Sequence, residues 1–153
     1  MSLGGLRLGE ATNQAAAAAV EAGLFLAVAA GNDGLPAFLF SPASEPTVCT
    51  VGASDSDDSR ASFSNFGALV DIFAPGVDVL SAWNNGTTET NVISGTSMAT
   101  PHITGLGAYL LALEGDRDPI ALCERIQELS TVDALSNPGL FTENRLAFNG
   151  ATA

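Results

Sequence analysis

The run Ile93-Ser94-Gly95-Thr96-Ser97-Met98-Ala99-Thr100-Pro101-His102 constrains this chain more than any other stretch. A polar, glycine-bearing turn passes into small residues and then into a long apolar helical run, Ile103 to Leu113. That order sets Ser97 at a helix N-terminus, where unpaired backbone N–H groups and the positive end of the helix dipole favour developing negative charge. Gly95 and Ala99 leave room for another backbone to approach. Pro101 is expected in the first helical turn, where a missing N–H breaks least. A serine at such a place serves either as a plain helix cap or as a nucleophile. The pattern is not the general G-x-S-x-G elbow, because Ala99 stands where the last glycine would be.

The gapless octet Gly95-Thr96-Ser97-Met98-Ala99-Thr100-Pro101-His102 resembles the nucleophile motif of the subtilisin-like serine proteases (peptidase S8). The resemblance implies a serine endopeptidase, a hydrolase whose Ser97 attacks the peptide carbonyl. Such chemistry needs a histidine base and an aspartate that orients it. In this family both precede the serine in the chain. Here the single histidine, His102, follows Ser97. Five helical steps of about 100° turn it roughly 140° away from the serine. His102 is therefore not expected to be the base, and it resembles the motif's structural histidine. On this reading residues 1–153 are the C-terminal part of a subtilisin-like domain. The catalytic Asp and His are expected in a missing N-terminal half, and the chain is expected to be inactive alone.

Composition agrees with a folded globular domain. At 46% apolar and 14% charged residues, a globular chain is favoured over a disordered one. Its 153 residues suit one domain with a sizeable core. A net charge of −12 has the wrong sign for nucleic acid and suits calcium or simple solubility. Glu21 interrupts the alanine-rich run before Ala30, so neither a signal peptide nor a membrane span is expected.

In chain order, Met1 to Gly5 is either a strand end with a turn or a disordered terminus. It resembles the substrate-binding segment of proteinase K-like subtilases, which implies that Ser2, Leu3 and Gly4 line a cleft and add a peptide as a strand. A helix is expected from Glu10 to Ala22, capped by Thr12 or Asn13 and stopped by Gly23. A buried strand, Leu24 to Ala29, should follow, giving the αβ half of a βαβ unit. Gly31-Asn32-Asp33-Gly34 then reads as a turn beyond a strand's carboxyl end, where α/β sheets bind ligands. The resemblance gives Asn32 the side-chain donor that stabilises an oxyanion together with the N–H of Ser97. Ala29, Ala30 and Gly31 become a pocket wall.

A proline-marked loop (Ser41 to Pro46) leads to an expected strand, Thr47 to Ala53. Their sequence again resembles the proteinase K-like enzymes. That implies a structural Ca²⁺ held by the carbonyls of Pro46 and Val48 and the carboxylate of Asp71. Without the resemblance, Asp71 simply ends a strand. Asp55 to Ser59 lacks the glycine and glutamate of an EF-hand loop and reads as a solvated turn. Strands are expected at Leu69–Phe73 and Val77–Ala82, and a second amphipathic helix at Asp118–Leu129. Between them Asn85-Gly86-Thr87 is a glycosylation sequon. Cys49 and Cys123 are free thiols in a reducing compartment or a bridge in an oxidising one; the resemblance implies the disulfide.

The resemblance covers residues 1–113 well and the tail loosely. It implies a three-layer α/β/α sandwich with a mostly parallel sheet, truncated on its N-terminal side. The implied partners are a peptide or protein substrate, the missing N-terminal half, and a propeptide or inhibitor. Disulfide and sequon together imply a secreted or vacuolar parent protein. A reading of another class is a non-catalytic calcium- or peptide-binding module derived from a protease. An unrelated nucleotide-binding domain is set aside, since no G-x-G-x-x-G or Walker A run occurs.

Overall fold

The centre of the computed structural model, which describes residues 1–6 and 9–151, is the wholly buried strand Cys49–Ser54. Nine strands and three α-helices occur among the described residues. In order they are β1 (Gly5–Leu6), α1 (Glu10–Glu21), β2 (Ala27–Ala29), β3 (Phe40–Ser41), β4 (Cys49–Ser54) and β5 (Ile72–Pro75), then β6 (Val79–Ala82) and β7 (Thr90–Ile93). They continue with α2 (Thr96–Glu114), α3 (Pro119–Leu129), β8 (Thr131–Val132) and β9 (Arg145–Leu146). The main sheet runs β2-β4-β5-β9-β8, parallel except for β8. Two antiparallel pairs, β1 with β3 and β6 with β7, stand outside it.

Alternation along the strands assigns the layers. Val28 and Val48 turn to one face, where they pack on Ala16 and Val20 of α1. Ala27, Val51, Ala53, Ile72 and Ala74 turn to the other, against Ala99, Ile103 and Leu110 of α2 and Leu122 and Ile126 of α3. Helices on both faces of a mostly parallel sheet make the three-layer α/β/α sandwich that the sequence implied. The disulfide is the alternative the structure adopts: Cys49 of β4 is bonded to Cys123 of α3, tying the sheet to its outer helix. Its 74-residue span corresponds to about 4 kcal/mol of lost unfolded-chain entropy in the loop-closure model.

Several local expectations shift. The helix after the N-terminal segment starts at Glu10 as expected, but its N-cap is Gly9 with no side-chain bond, not Thr12 or Asn13. Asn13 is drawn into tertiary contacts instead, donating to Ser44 Oγ at 2.9 Å and accepting from Ser41 Oγ at 2.6 Å. Gly23 does stop the helix, at φ +90°. Only Ala27–Ala29 of the expected strand pairs, and the strand expected at Leu69 begins at Ile72 because residues 67–70 form a turn, Val70 N–H to Gly67 O. The expected strand at Val77 starts at Val79 and folds back onto β7, a pairing the sequence had not suggested.

Phe25, just before β2, packs against α2 where Gly107 exposes backbone; a Cβ there would stand 2.7 Å from Phe25 Cε1. Gly105, on the exposed side of the same helix, has nothing within 4 Å of such a Cβ. The two glycines should respond in opposite directions. Gly107→Ala is expected to lower stability by about 1–3 kcal/mol through overpacking, and Gly105→Ala to raise it by up to about 1 kcal/mol through helix propensity. Equilibrium urea unfolding of the pair measures both, and equal effects would refute the packing argument.

Candidate active site

The site forms where β2 ends and α2 begins. Beyond Ala29 the chain turns through Ala30-Gly31-Asn32-Asp33-Gly34 across the N-terminus of α2. A fully buried side chain, Asn65, holds this turn. Its Nδ2 donates to Ala30 O at 2.8 Å, and its Oδ1 accepts from the N–H groups of Asp33 (3.1 Å) and Leu35 (3.0 Å). Gly31 sits at φ +106°, and a Cβ there would lie 2.2 Å from Asn65 Nδ2. Only glycine combines that backbone with that clearance.

Thr96, also fully buried, joins the turn to the helix. Its N–H and its hydroxyl each donate to Asn32 Oδ1 at 2.9 Å, while its Oγ1 accepts from Gly31 N–H at 3.3 Å. With Oδ1 taken twice, the exposed Asn32 amide has its Nδ2 donors to offer. Asn32 lines a cleft of about 380 Å³ together with Ser97, Leu3, Gly4, Ala29, Ala30 and Gly31. The structure thus brings these sequence-derived site residues to one cleft. Ser97 also borders a second hollow of about 410 Å³, walled by Leu80, Trp83, Met98 and His102.

Ser97 and Ser2 hold one another. Ser97 Oγ donates to Ser2 O at 3.1 Å, and Ser2 Oγ donates to Ser97 O at 2.9 Å. The second bond follows from the place of Pro101, which was expected in the first helical turn. Because α2 starts at Thr96, Pro101 falls in the second turn rather than the first. The N–H that would have met Ser97 O is therefore absent, and the Ser2 hydroxyl takes that carbonyl. Ser2 is placed by Met1, whose amino group donates to Ala27 O at 2.5 Å and whose carbonyl accepts from Ala29 N–H at 3.1 Å along the outer edge of β2. His102 Nδ1 is 2.8 Å from Met98 O on its own helix. Among the described residues no imidazole or carboxylate hydrogen-bonds to Ser97.

Away from the cleft, Asp71 precedes β5 beside the disulfide. Its Oδ2 accepts from Thr50 N–H at 2.6 Å and its Oδ1 from Gln127 Nε2 at 3.3 Å. Burial pushes its pKa up to about 6, with the Glu143 carboxylate adding to the rise and the Thr50 and Gln127 bonds opposing it. The carboxylate lies within 4.8 Å of the Cys49 and Cys123 sulfurs. Both sulfurs are spent in the bridge, so only oxygen donors remain there.

Comparison with known proteins now decides the family. Residues 1–134 match the model of the peptidase S8, subtilase family. The chain belongs to the subtilase family. It is 60% identical over 151 residues to a cuticle-degrading protease of Metarhizium anisopliae, covering 99% of this chain and 38% of that protein. An alkaline serine protease of Corniculantispora psalliotae is 60% identical over 152 residues, 99% of this chain and 39% of that protein. A cold-adapted subtilisin-like serine proteinase of known crystal structure superposes with a TM-score of 0.94 at 39% identity, over 99% of this chain and 54% of that one. This subtilase chain thus spans about two-fifths of the length of its curated relatives.

Two residues that build the subtilase cleft had escaped assignment. Thr96 lay inside the nucleophile octet, but nothing there said that its side chain would hold Asn32. Asn65 had a weaker signal still, one amide in the aromatic run Phe63 to Phe66. Asn65→Ala is expected to cost about 2–4 kcal/mol, since it leaves several buried backbone groups without partners. Amide exchange should quicken most at Asp33 and Leu35, and unchanged exchange at those two positions would contradict the clamp.

Proposed function

We propose that this chain is the part of a serine endopeptidase that carries the nucleophile and the oxyanion site. The observation that carries the reading is the fixed polarity of Asn32. Thr96 holds its carbonyl end with two donors, so the amide's donor end is available beside Ser97 in the same cleft. In this reading Ser97 Oγ attacks the scissile carbonyl. The oxyanion that forms is met by Asn32 Nδ2 and the backbone N–H of Ser97, in the first turn of α2 where such groups lack helical acceptors. An extended peptide lies along Ser2, Leu3 and Gly4, and the side chain before the scissile bond enters the pocket walled by Ala29, Ala30 and Gly31.

Attack also requires that the Ser97 proton leave, and His102 is turned to Met98 O. The base and its orienting carboxylate are accordingly assigned to a further stretch of a subtilase domain, the missing N-terminal half, and these residues by themselves are expected to be inactive. Substrates are peptides or proteins, in keeping with the named activities of the relatives. The disulfide and the sequon favour an oxidising destination, secreted or vacuolar. No helix among the described residues is long and apolar enough to cross a membrane.

Labelling with a fluorophosphonate probe tests the assignment. The chain alone should not label. Mixed with an N-terminal half bearing the base, it should label at Ser97 and lose the label in Ser97→Ala. Asn32→Ala in the complemented enzyme should lower kcat by about 10²–10³. Peptide binding with no labelling in the folded, complemented mixture would favour the non-catalytic module instead.

We also assign Asp71, with the carbonyls of Pro46 and Val48, to a structural Ca²⁺. The support is electrostatic. Asp71 is a partly buried carboxylate whose charged neighbour is another carboxylate, Glu143, so a hard divalent cation compensates it. The sign of the pH effect follows. With its folded pKa raised, Asp71 favours the folded state at low pH, and this contribution is lost as pH rises from about 4 through about 6. In metal-free buffer above that range Asp71→Asn should therefore be the more stable protein, by about 1–3 kcal/mol. Added Ca²⁺ should raise the Tm of the unsubstituted chain and not that of the variant. A Tm rise of equal size in both would place the cation elsewhere.

A further inference from the structure

The β6–β7 hairpin carries the one N-x-Ser/Thr sequon of this sequence, Asn85-Gly86-Thr87, and no function described above uses it. The strands pair in register from Val79 with Ile93 to Ala82 with Thr90, and Trp83 N–H closes the end on Glu89 O at 2.8 Å. Asn85 therefore sits at the tip of a hairpin that stands outside the main sheet. Every residue from Leu80 to Thr90 is exposed. Glycine as the middle residue leaves the acceptor backbone free to extend, where proline would block it. A second, independent observation concerns compartment. The Cys49–Cys123 bridge requires oxidising conditions during folding, and that environment is where asparagine is glycosylated in a eukaryotic secretory pathway.

We propose that Asn85 is an N-glycosylation site whose glycan shields the β6–β7 hairpin from proteolytic nicking. In the transfer, Asn85 Nδ2 displaces the pyrophosphate of a lipid-linked oligosaccharide from the anomeric carbon. An N-glycosidic bond forms, the sugar–phosphate bond breaks, one amide proton is lost, and the lipid pyrophosphate departs. The need for a shield lies in the loop itself. Exposed tips of small polar residues are preferred nicking sites, and Asn84 to Thr88 is such a run. The hairpin also presents Leu80 and Trp83, at 66% and 39% exposure, along the hollow that borders Ser97. A cut at the tip would free that wall.

The test is expression of the natural gene product behind a secretory leader in a yeast host, read on retained and secreted chains alike. The expected result is a mass increase removed by an amidase that releases N-glycans and absent from both Asn85→Gln and Thr87→Ala. Release in heavy-oxygen water marks the site and separates it from spontaneous deamidation at Asn85-Gly86. Unmodified Asn85 in both pools would overturn the site. Shielding is tested by exposing glycosylated and enzymatically deglycosylated protein to a non-specific protease. Cleavage between Trp83 and Glu89 should be several-fold faster without the glycan, and equal rates would overturn the protective role.

Discussion

The structure of this subtilase site depends on one shared acceptor. Asn32 Oδ1 receives both the backbone N–H and the hydroxyl of Thr96, and in doing so it locks the turn after β2 to the first residue of α2. An amide side chain at an exposed turn would otherwise be free to rotate and to present either end. With its acceptor end held by two donors from a buried threonine, it has one orientation, donor outward. Helix N-termini lack acceptors for their first N–H groups, so Thr96 N–H needs such a partner and Asn32 provides it. The same bond satisfies the helix and orients the site.

Around that link the neighbouring elements are over-determined. Asn65 fills the inside of the turn that Asn32 caps, and Gly31 is the only residue type that fits between them. Gly95 N–H bonds to Gly76 O at 2.8 Å, which ties the turn before α2 to the end of β5. Pro101 removes one helical N–H and leaves Ser97 O to the hydroxyl of Ser2. Ser97 is thus held from below by the sheet, from behind by the helix and from the side by the N-terminal segment. The parts of this network come from five separate stretches of chain, and the sheet brings them together because β2, β4 and β5 run parallel and end at one edge.

The chemistry is divided in space as well. Ser97 and Asn32 are together, whereas His102 faces its own helix. A hydroxyl bonded only to a carbonyl is not an activated nucleophile. Among the described residues the Ser97 hydroxyl and the Asn32 amide thus share one cleft, and no imidazole or carboxylate hydrogen-bonds to the serine.

Much of this was legible in the residues. The octet from Gly95 to His102 marked the serine and the family. The alanine-rich run ending at Gly23 marked α1, and the β-branched run from Thr47 to Ala53 marked a strand, which the structure then buries inside the sheet, because local propensity and tertiary burial there favour the same state. What tertiary structure alone decided was partnership. Thr12 and Asn13 had the chemistry of caps, yet Asn13 is taken by Ser41 and Ser44. Residues 90–93 were not expected as a strand and are held as β7 by pairing with β6. Cys49 and Cys123 permitted a bridge or free thiols, and only the packing of α3 on β4 brings their Cα atoms to 5.7 Å. Asn65 and Thr96 show the limit most plainly. Sequence sets which donors and acceptors a chain owns, but hydrogen bonds form between groups brought close in space, and that proximity comes from burying the apolar faces of the sheet and helices.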